Sequence, residues 1–175
     1  MPELRAVSVT VKVVGLDLSL VGTGVAHTVE GAVCTHLIKT NPKHRDGRLI
    51  QIRDMVRQYA EGAELVLIEA PAAKSFTSVI SGMVQGVVRV VLVEMGIPYG
   101  TLMPSSLKKY ATGKGTGDKV PMAIAALKRA GLEFPDDNQC DAFWLWVAAN
   151  DHLGQPVFDL PAINRESLKK IEMEG

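Results

Sequence analysis

Three β-rich runs joined by very short turns at the start of the chain constrain the fold more than any other feature. Val7–Leu18 is dense in β-branched residues, and Gly22–Glu30 and Ala32–Thr40 follow it after the turns Leu20-Val21-Gly22 and Glu30-Gly31. Connections this short cannot carry a crossover, so the three strands must be antiparallel neighbours. Asn41-Pro42 then breaks the pattern.

Beyond that break the periodicity changes. Leu49, Ile52, Val56 and Tyr59 share one face of a helix over Arg45–Ala60. Glu64–Ala70 (ELVLIEA) is a short apolar run closed by Pro71 and reads as a buried parallel strand. Phe76–Met95 predicts a long apolar helix whose Gly82 and Gly86 permit close approach by a neighbour, and Ile97–Met103 a fifth strand. Pro104 opens a helix to Tyr110, and Ala111–Gly117 (ATGKGTG) is a glycine-rich loop. Helices over Lys119–Ala130 and Cys140–Asp151 follow, joined by Gly131–Gln139. The expected fold class is α/β: a mixed five-stranded sheet, three strands antiparallel and then two parallel, with helices on both faces. One domain spans residues 1–155, and 156–175 reads as a C-terminal tail.

The chain's 175 residues suffice for one domain with a real core. Its 19 basic and 19 acidic residues cancel, so any affinity for nucleic acid must come from local clustering of charge. Cys34 and Cys140 stand far apart, in no metal-binding spacing, and read as reduced, buried thiols. No apolar run approaches the roughly 18 residues of a membrane helix. The N-terminus runs directly into strand-like sequence without a signal peptide's pattern.

Three carboxylates stand where a core-building sequence would not put them. Asp17 interrupts VVGLDLSL, on the same side of the strand as Val13 and Gly15. A carboxylate there is costly unless paired or metal-bound, although it could also start the turn at Ser19–Gly22. Glu69 ends LVLIEA at a strand terminus, where sites in mixed sheets collect, or where a solvated end precedes Pro71. Asp141 opens DAFWLWVAAN just after Asp136 and Asp137. With Asn138 as N-cap it would be an N3 residue favoured by the helix dipole. As a set, a strand Asp, a strand-end Glu and a helix-start Asp can converge above adjacent strands. Such a cluster suits hard cations such as Mg²⁺ or Mn²⁺, and a pair of ions roughly 4 Å apart suits phosphodiester hydrolysis.

The residues also resemble a known family. G-x-D-x-S-x-x-x-T-G at Gly15–Gly24 resembles the first motif of RuvC-type Holliday junction resolvases, and IEAP at Ile68–Pro71 their second. LKKYATGKGTGDK at Leu107–Lys119 is similar to their basic loop, and DDNQCDAFWLW at Asp136–Trp146 to their last acidic motif. The likeness spans residues 10–150, and the shorter, phage-like members are the nearest in pattern. It implies an RNase H-like fold, a homodimer, and paired Mg²⁺-dependent nicks in a four-way DNA junction, with Mn²⁺ able to substitute. It implies that Asp17, Glu69 and Asp141 are metal ligands, and a cytoplasmic setting in a bacterial cell or phage-infected host. The family carries an acidic residue or His three positions before the final Asp. Here that position is Asn138, which leaves Asp137 as the candidate fourth ligand.

Lys108, Lys109, Lys114, Lys119, Lys128 and Arg129 form a positive stretch in this neutral chain. Phosphate contacts are expected from Lys108, Lys109, Lys114 and Lys119, with salt-sensitive binding. TGKGTG is not a Walker A loop, since Gly rather than Ser or Thr follows Lys114. Its glycines would let Lys114 swing toward a scissile phosphate, as a catalytic lysine. Lys43, Arg45, Arg48, Arg53 and Arg57 are diluted by Asp46 and Asp54 and read as a solvated helix face. Ser19 could bind phosphate or shape its turn. Lys74 is a further DNA-contact candidate, and Phe76 is either core or a wedge at the junction crossover. Of Trp144 and Trp146, two apart on a helix, one is expected in the core and the other could meet a dimer partner. Competing readings are a binding module that recognises branched DNA without cutting it, and a fragment of an actin-like ATPase, whose first phosphate loop GLDLSLVGTGVA also resembles. Forks, flaps and RNA–DNA hybrids remain alternative nuclease substrates.

Overall fold

The β-branched runs form strands where their alternation predicts them. In the computed structural model, which describes residues 9–71, 78–117 and 120–174, β1 (Val13–Asp17), β2 (Gly22–Val29) and β3 (Ala32–Lys39) pair antiparallel in a meander. A 3₁₀ turn, Pro42–His44, leads into α1 (Gly47–Ala60). Then come β4 (Leu65–Glu69), α2 (Ser78–Glu94), β5 (Tyr99–Leu102), α3 (Pro104–Thr112), α4 (Val120–Ala130) and α5 (Asp137–His152). β4 lies parallel to β1, and β5 parallel to β4. Lys74, Phe76 and Lys119 lie outside the described residues.

Two expectations need correction. The segment after residue 155 is not a loose tail. It forms α6 (Ala162–Arg165), a 3₁₀ turn over Glu166–Lys170 and β6 (Glu172–Glu174), which pairs antiparallel with β5. The sheet therefore has six strands rather than five, in the order β3-β2-β1-β4-β5-β6. A three-residue strand of alternating Glu and Met gives almost no sequence signal, because its stability comes from the open edge of β5.

Alternation along the strands builds two cores. Val14, Leu16, Val66 and Ile68 face α1 and α2, whereas Val13, Leu65 and Leu67 face α3, α4 and α5. Nearly every side chain of α5 from Gln139 to Asp151 is buried, which suits a helix that is apolar on all sides. Trp144 and Trp146 are both fully buried, so neither is available to a partner. Their indole N–H groups donate to the Met122 carbonyl at 3.1 Å and to Thr28 Oγ1 at 3.0 Å. Among the described residues no helix is long and apolar enough to cross a membrane.

Candidate active site

Glycines in β1 and β2 decide where α5 sits. A Cβ at Gly15 would stand 2.2 Å from the Ala142 carbonyl oxygen and 2.5 Å from the Trp146 amide nitrogen. One at Gly24 would stand 2.0 Å from the Asn138 carbonyl oxygen. Asn138, Ala142 and Trp146 are four residues apart and form one row along the helix. The helix backbone therefore lies directly on two glycines of the first motif, closer than any side chain would permit.

This docking brings Asp141 of α5 into one cavity with Glu69 of β4. Asp17 ends β1 and Glu69 ends β4, each one residue beyond the registered pair Leu16–Ile68 of these parallel strands. Alternation puts both on the α5 side, Asp17 with Val13 and Gly15, Glu69 with Leu65 and Leu67. Asp141, 6% exposed in the second turn of α5, lines the same cavity of about 90 Å³ as Glu69, together with Pro104, Leu107, Lys108 and Met122. Among the described residues no three His, Cys, Asp or Glu side chains are already drawn into a metal-holding group. The carboxylates lining the cavity come from two elements, Glu69 of β4 and Asp141 of α5, with neither His nor Cys beside them, a donor set that suits a hard cation rather than a soft one.

The start of α5 differs from the expected one. Asp136, not Asn138, is the N-cap: its Oδ1 accepts from the Gln139 amide at 2.9 Å and its Oδ2 from Gln139 Nε2 at 2.6 Å. Asp137 becomes the first helical residue and is exposed, while Asp141 lies beyond the N3 position expected for it. Asn138 is a tether, its Nδ2 donating to the Gly22 carbonyl at 2.9 Å. Asn138, expected from sequence as the cap, is thus engaged by a tertiary contact instead.

The remaining motif residues divide by role. Thr23 Oγ1 donates to the Ser19 carbonyl at 2.8 Å and accepts from the Ser19 amide at 3.2 Å, while Ser19 Oγ accepts from the Val21 amide at 3.3 Å. Both hydroxyls thus build the turn that follows Asp17. Gln85, which sequence reasoning passed over, donates to the Glu69 carbonyl at 2.8 Å and ties α2 to the end of β4. Lys108 lines the carboxylate cavity, and its Nζ donates to the Gly117 carbonyl at 3.0 Å, folding the glycine-rich loop back on α3. Lys109 turns elsewhere, to Glu166 at 3.0 Å. Lys114 is exposed on the loop, its amide donating to Thr112 Oγ1 at 3.2 Å. Of the second basic run, Arg53 pairs with Asp54 at 2.7 Å and Arg57 with Glu94 at 2.8 Å, which matches a solvated helix face.

No protein-family model matches the chain, and no curated protein sequence matches it significantly. Solved structures do. RuvC from Thermus thermophilus superposes with a TM-score of 0.69 at 22% identity, over 82% of this chain and 97% of that one. T. thermophilus RuvC in complex with a Holliday junction substrate gives 0.70 at 21% identity, over 83% and 97%. The chain therefore has a RuvC-type, RNase H-like fold.

Proposed function

We propose that this protein is a divalent-metal-dependent endonuclease that resolves Holliday junctions or related branched DNA by paired nicks, acting as a homodimer. The observation that carries the reading is that Asp17 and Glu69 end adjacent parallel strands on the α5 side of the sheet, and that Glu69 shares a cavity with Asp141 and Lys108. The RuvC-type fold supports it, since one of the matching structures is a complex with a Holliday junction substrate.

Asp17, Glu69 and Asp141 would hold Mg²⁺ or Mn²⁺, with the exposed Asp137 at the helix start as a fourth carboxylate. Bound ions supply an activated water and neutralise charge at the leaving oxygen of a phosphodiester. The protein's part is geometric and electrostatic. Gly15 and Gly24 hold α5 against the sheet, Gln85 fixes the end of β4, and the Ser19–Thr23 turn fixes the end of β1. Lys108 sets a cation at the carboxylate cavity, and Lys114 adds an exposed one on the neighbouring loop. Lys108 and Lys114 would add positive charge for a phosphate near the carboxylates.

The deciding experiment incubates a labelled four-way junction and a matched linear duplex with Mg²⁺ or with EDTA. Symmetrical Mg²⁺-dependent nicks confined to the junction are expected. Binding without cutting would make the chain a recognition module, and neither binding nor cutting would reject a role on branched DNA.

A further inference from the structure

The C-terminal segment grips α3 from behind. Of three consecutive residues, Asn164 and Glu166 hold its last turns directly, and Arg165 acts through Asp151 of α5. Asn164 Nδ2 donates to the Tyr110 carbonyl at 2.8 Å, satisfying a carbonyl that the helix end leaves open. Glu166 pairs with Lys109. Arg165 meets Asp151 of α5 through Nε at 3.1 Å and a terminal nitrogen at 2.5 Å, and Tyr110 Oη donates to the same carboxylate at 2.9 Å. The other side of α3, Pro104, Leu107 and Lys108, lines the carboxylate cavity.

The grip has a clear electrostatic keystone. Asp151 is 4% exposed and sits in the last turn of α5, where the helix dipole disfavours a negative charge. A carboxylate so placed requires a cation and hydrogen bonds. Arg165 supplies the first and shares the second with Tyr110, whose hydroxyl burial keeps protonated as a donor. Without Arg165, Asp151 would keep only the Tyr110 hydroxyl of these contacts, so the buried carboxylate would be poorly compensated and the anchor of α3 would loosen.

We infer that Arg165 is a positioning residue: by compensating Asp151 it fixes the last turn of α3, and so holds Lys108 and the glycine-rich loop against the carboxylate cavity. What this positioning serves rests on the nuclease reading, whereas the positioning itself does not. The segment read from sequence as a tail is thus part of the machinery that aims a site lysine.

The full-length protein, Arg165→Ala and Arg165→Lys are compared in two assays. By hydrogen exchange, amides of residues 107–113 in Arg165→Ala should exchange at least about tenfold faster than in the parent while β4 and the middle of α5 keep their protection. In single-turnover cleavage, Arg165→Ala should lose about tenfold in rate with junction Kd nearly unchanged, and Arg165→Lys should recover part of the loss. Unaltered exchange in residues 107–113, or a uniform rise across the fold, overturns the inference, as does a loss in Kd equal to the loss in rate. If the parent protein cuts no junction, the nuclease reading fails, and the exchange result alone still decides the positioning.

Discussion

Gly24 of β2 lies directly beneath Asn138 of α5, so close that a Cβ on the glycine would stand 2.0 Å from the Asn138 carbonyl oxygen. Both atoms in that clash belong to rigid backbone or are fixed to it, so neither element can yield cheaply. Gly24→Ala should lift the start of α5 and carry Asp141 away from Glu69. Overpacking of this kind costs about 1–3 kcal/mol. Urea denaturation should show that loss, and junction cleavage should fall with it. Gly82→Ala is the control, since nothing lies within 4 Å of a Cβ there, and it should be neutral or mildly stabilising. Equal stability in the two variants would mean that α5 does not rest on Gly24.

Asp17→Asn removes a charge from beside Glu69 while preserving shape. Cleavage should drop below about one-hundredth of the parent rate, the scale of losing one electrostatic contact to a transition state. Junction binding and thermal stability should persist, because the bonds of the Ser19–Thr23 turn are made by other side chains and the strand pairing of Asp17 with Gly24 is made by backbone that Asn retains. Cleavage at the parent rate would remove Asp17 from the site.

The sequence made much of this arrangement legible. Asp17 and Glu69 stood out because each breaks or ends an apolar strand, and a parallel pairing of those strands was enough to set them side by side. The purpose of Gly15 and Gly24 was not legible, because a glycine in a strand does not disclose which backbone approaches it. Nor was the division of labour between Lys108 and Lys109, which depends on Glu166, more than fifty residues away in a segment without periodicity. Asp151 and Arg165 escaped notice for the same reason: an acidic residue at a helix end and an arginine near the C-terminus look solvated until the fold buries one of them.

Asp136 and Asp137, adjacent in sequence, should separate cleanly by experiment. Asp136 caps α5, so Asp136→Ala should cost about 1 kcal/mol of stability and affect cleavage only as far as the helix start shifts. Asp137 is exposed, and the cap is Asp136. Asp137→Asn should lower cleavage sharply if its carboxylate joins the metal set. Unchanged cleavage in Asp137→Asn would leave three carboxylates as the whole set.

The cluster of His27, His36 and Tyr59, with ring centroids 4.9–5.2 Å apart, should make stability pH-dependent. Burial, then His36, then Lys12 lower the His27 pKa from 6.5 to about 4. A histidine whose pKa is depressed by folding binds its proton more readily when unfolded. Its neutral form supports the fold fully above pH 6.5, and that support is lost as pH falls from 6.5 toward 4. Urea midpoints should therefore decline between pH 7 and pH 5, and His27→Phe should flatten that decline. An identical slope in the variant would assign the pH dependence to other groups.

The outer face of α2 bears on whether the nicks come in pairs. Val79, Met83, Val90 and Val93 are exposed, and with Gly86 they are spaced four, three, four and three residues apart, the alternation of a helix-pairing seam. Gly86 has no neighbour within 4 Å of a Cβ position and shares an apolar groove with Leu49, Ile50, Met83, Val87 and Val90. A second copy of the chain, bringing the same seam, would cover this groove by twofold symmetry. Val90→Glu places a charge in the middle of that seam, at a position 58% exposed in the single chain. Sedimentation at micromolar concentration should show a dimer for the parent and a monomer for Val90→Glu, with the urea midpoint of the monomer fold little changed. The variant should then nick one strand of a junction without the coupled second cut. A parent protein that sediments as a monomer at that concentration would reject the seam as a dimer interface and, with it, paired nicking by this route.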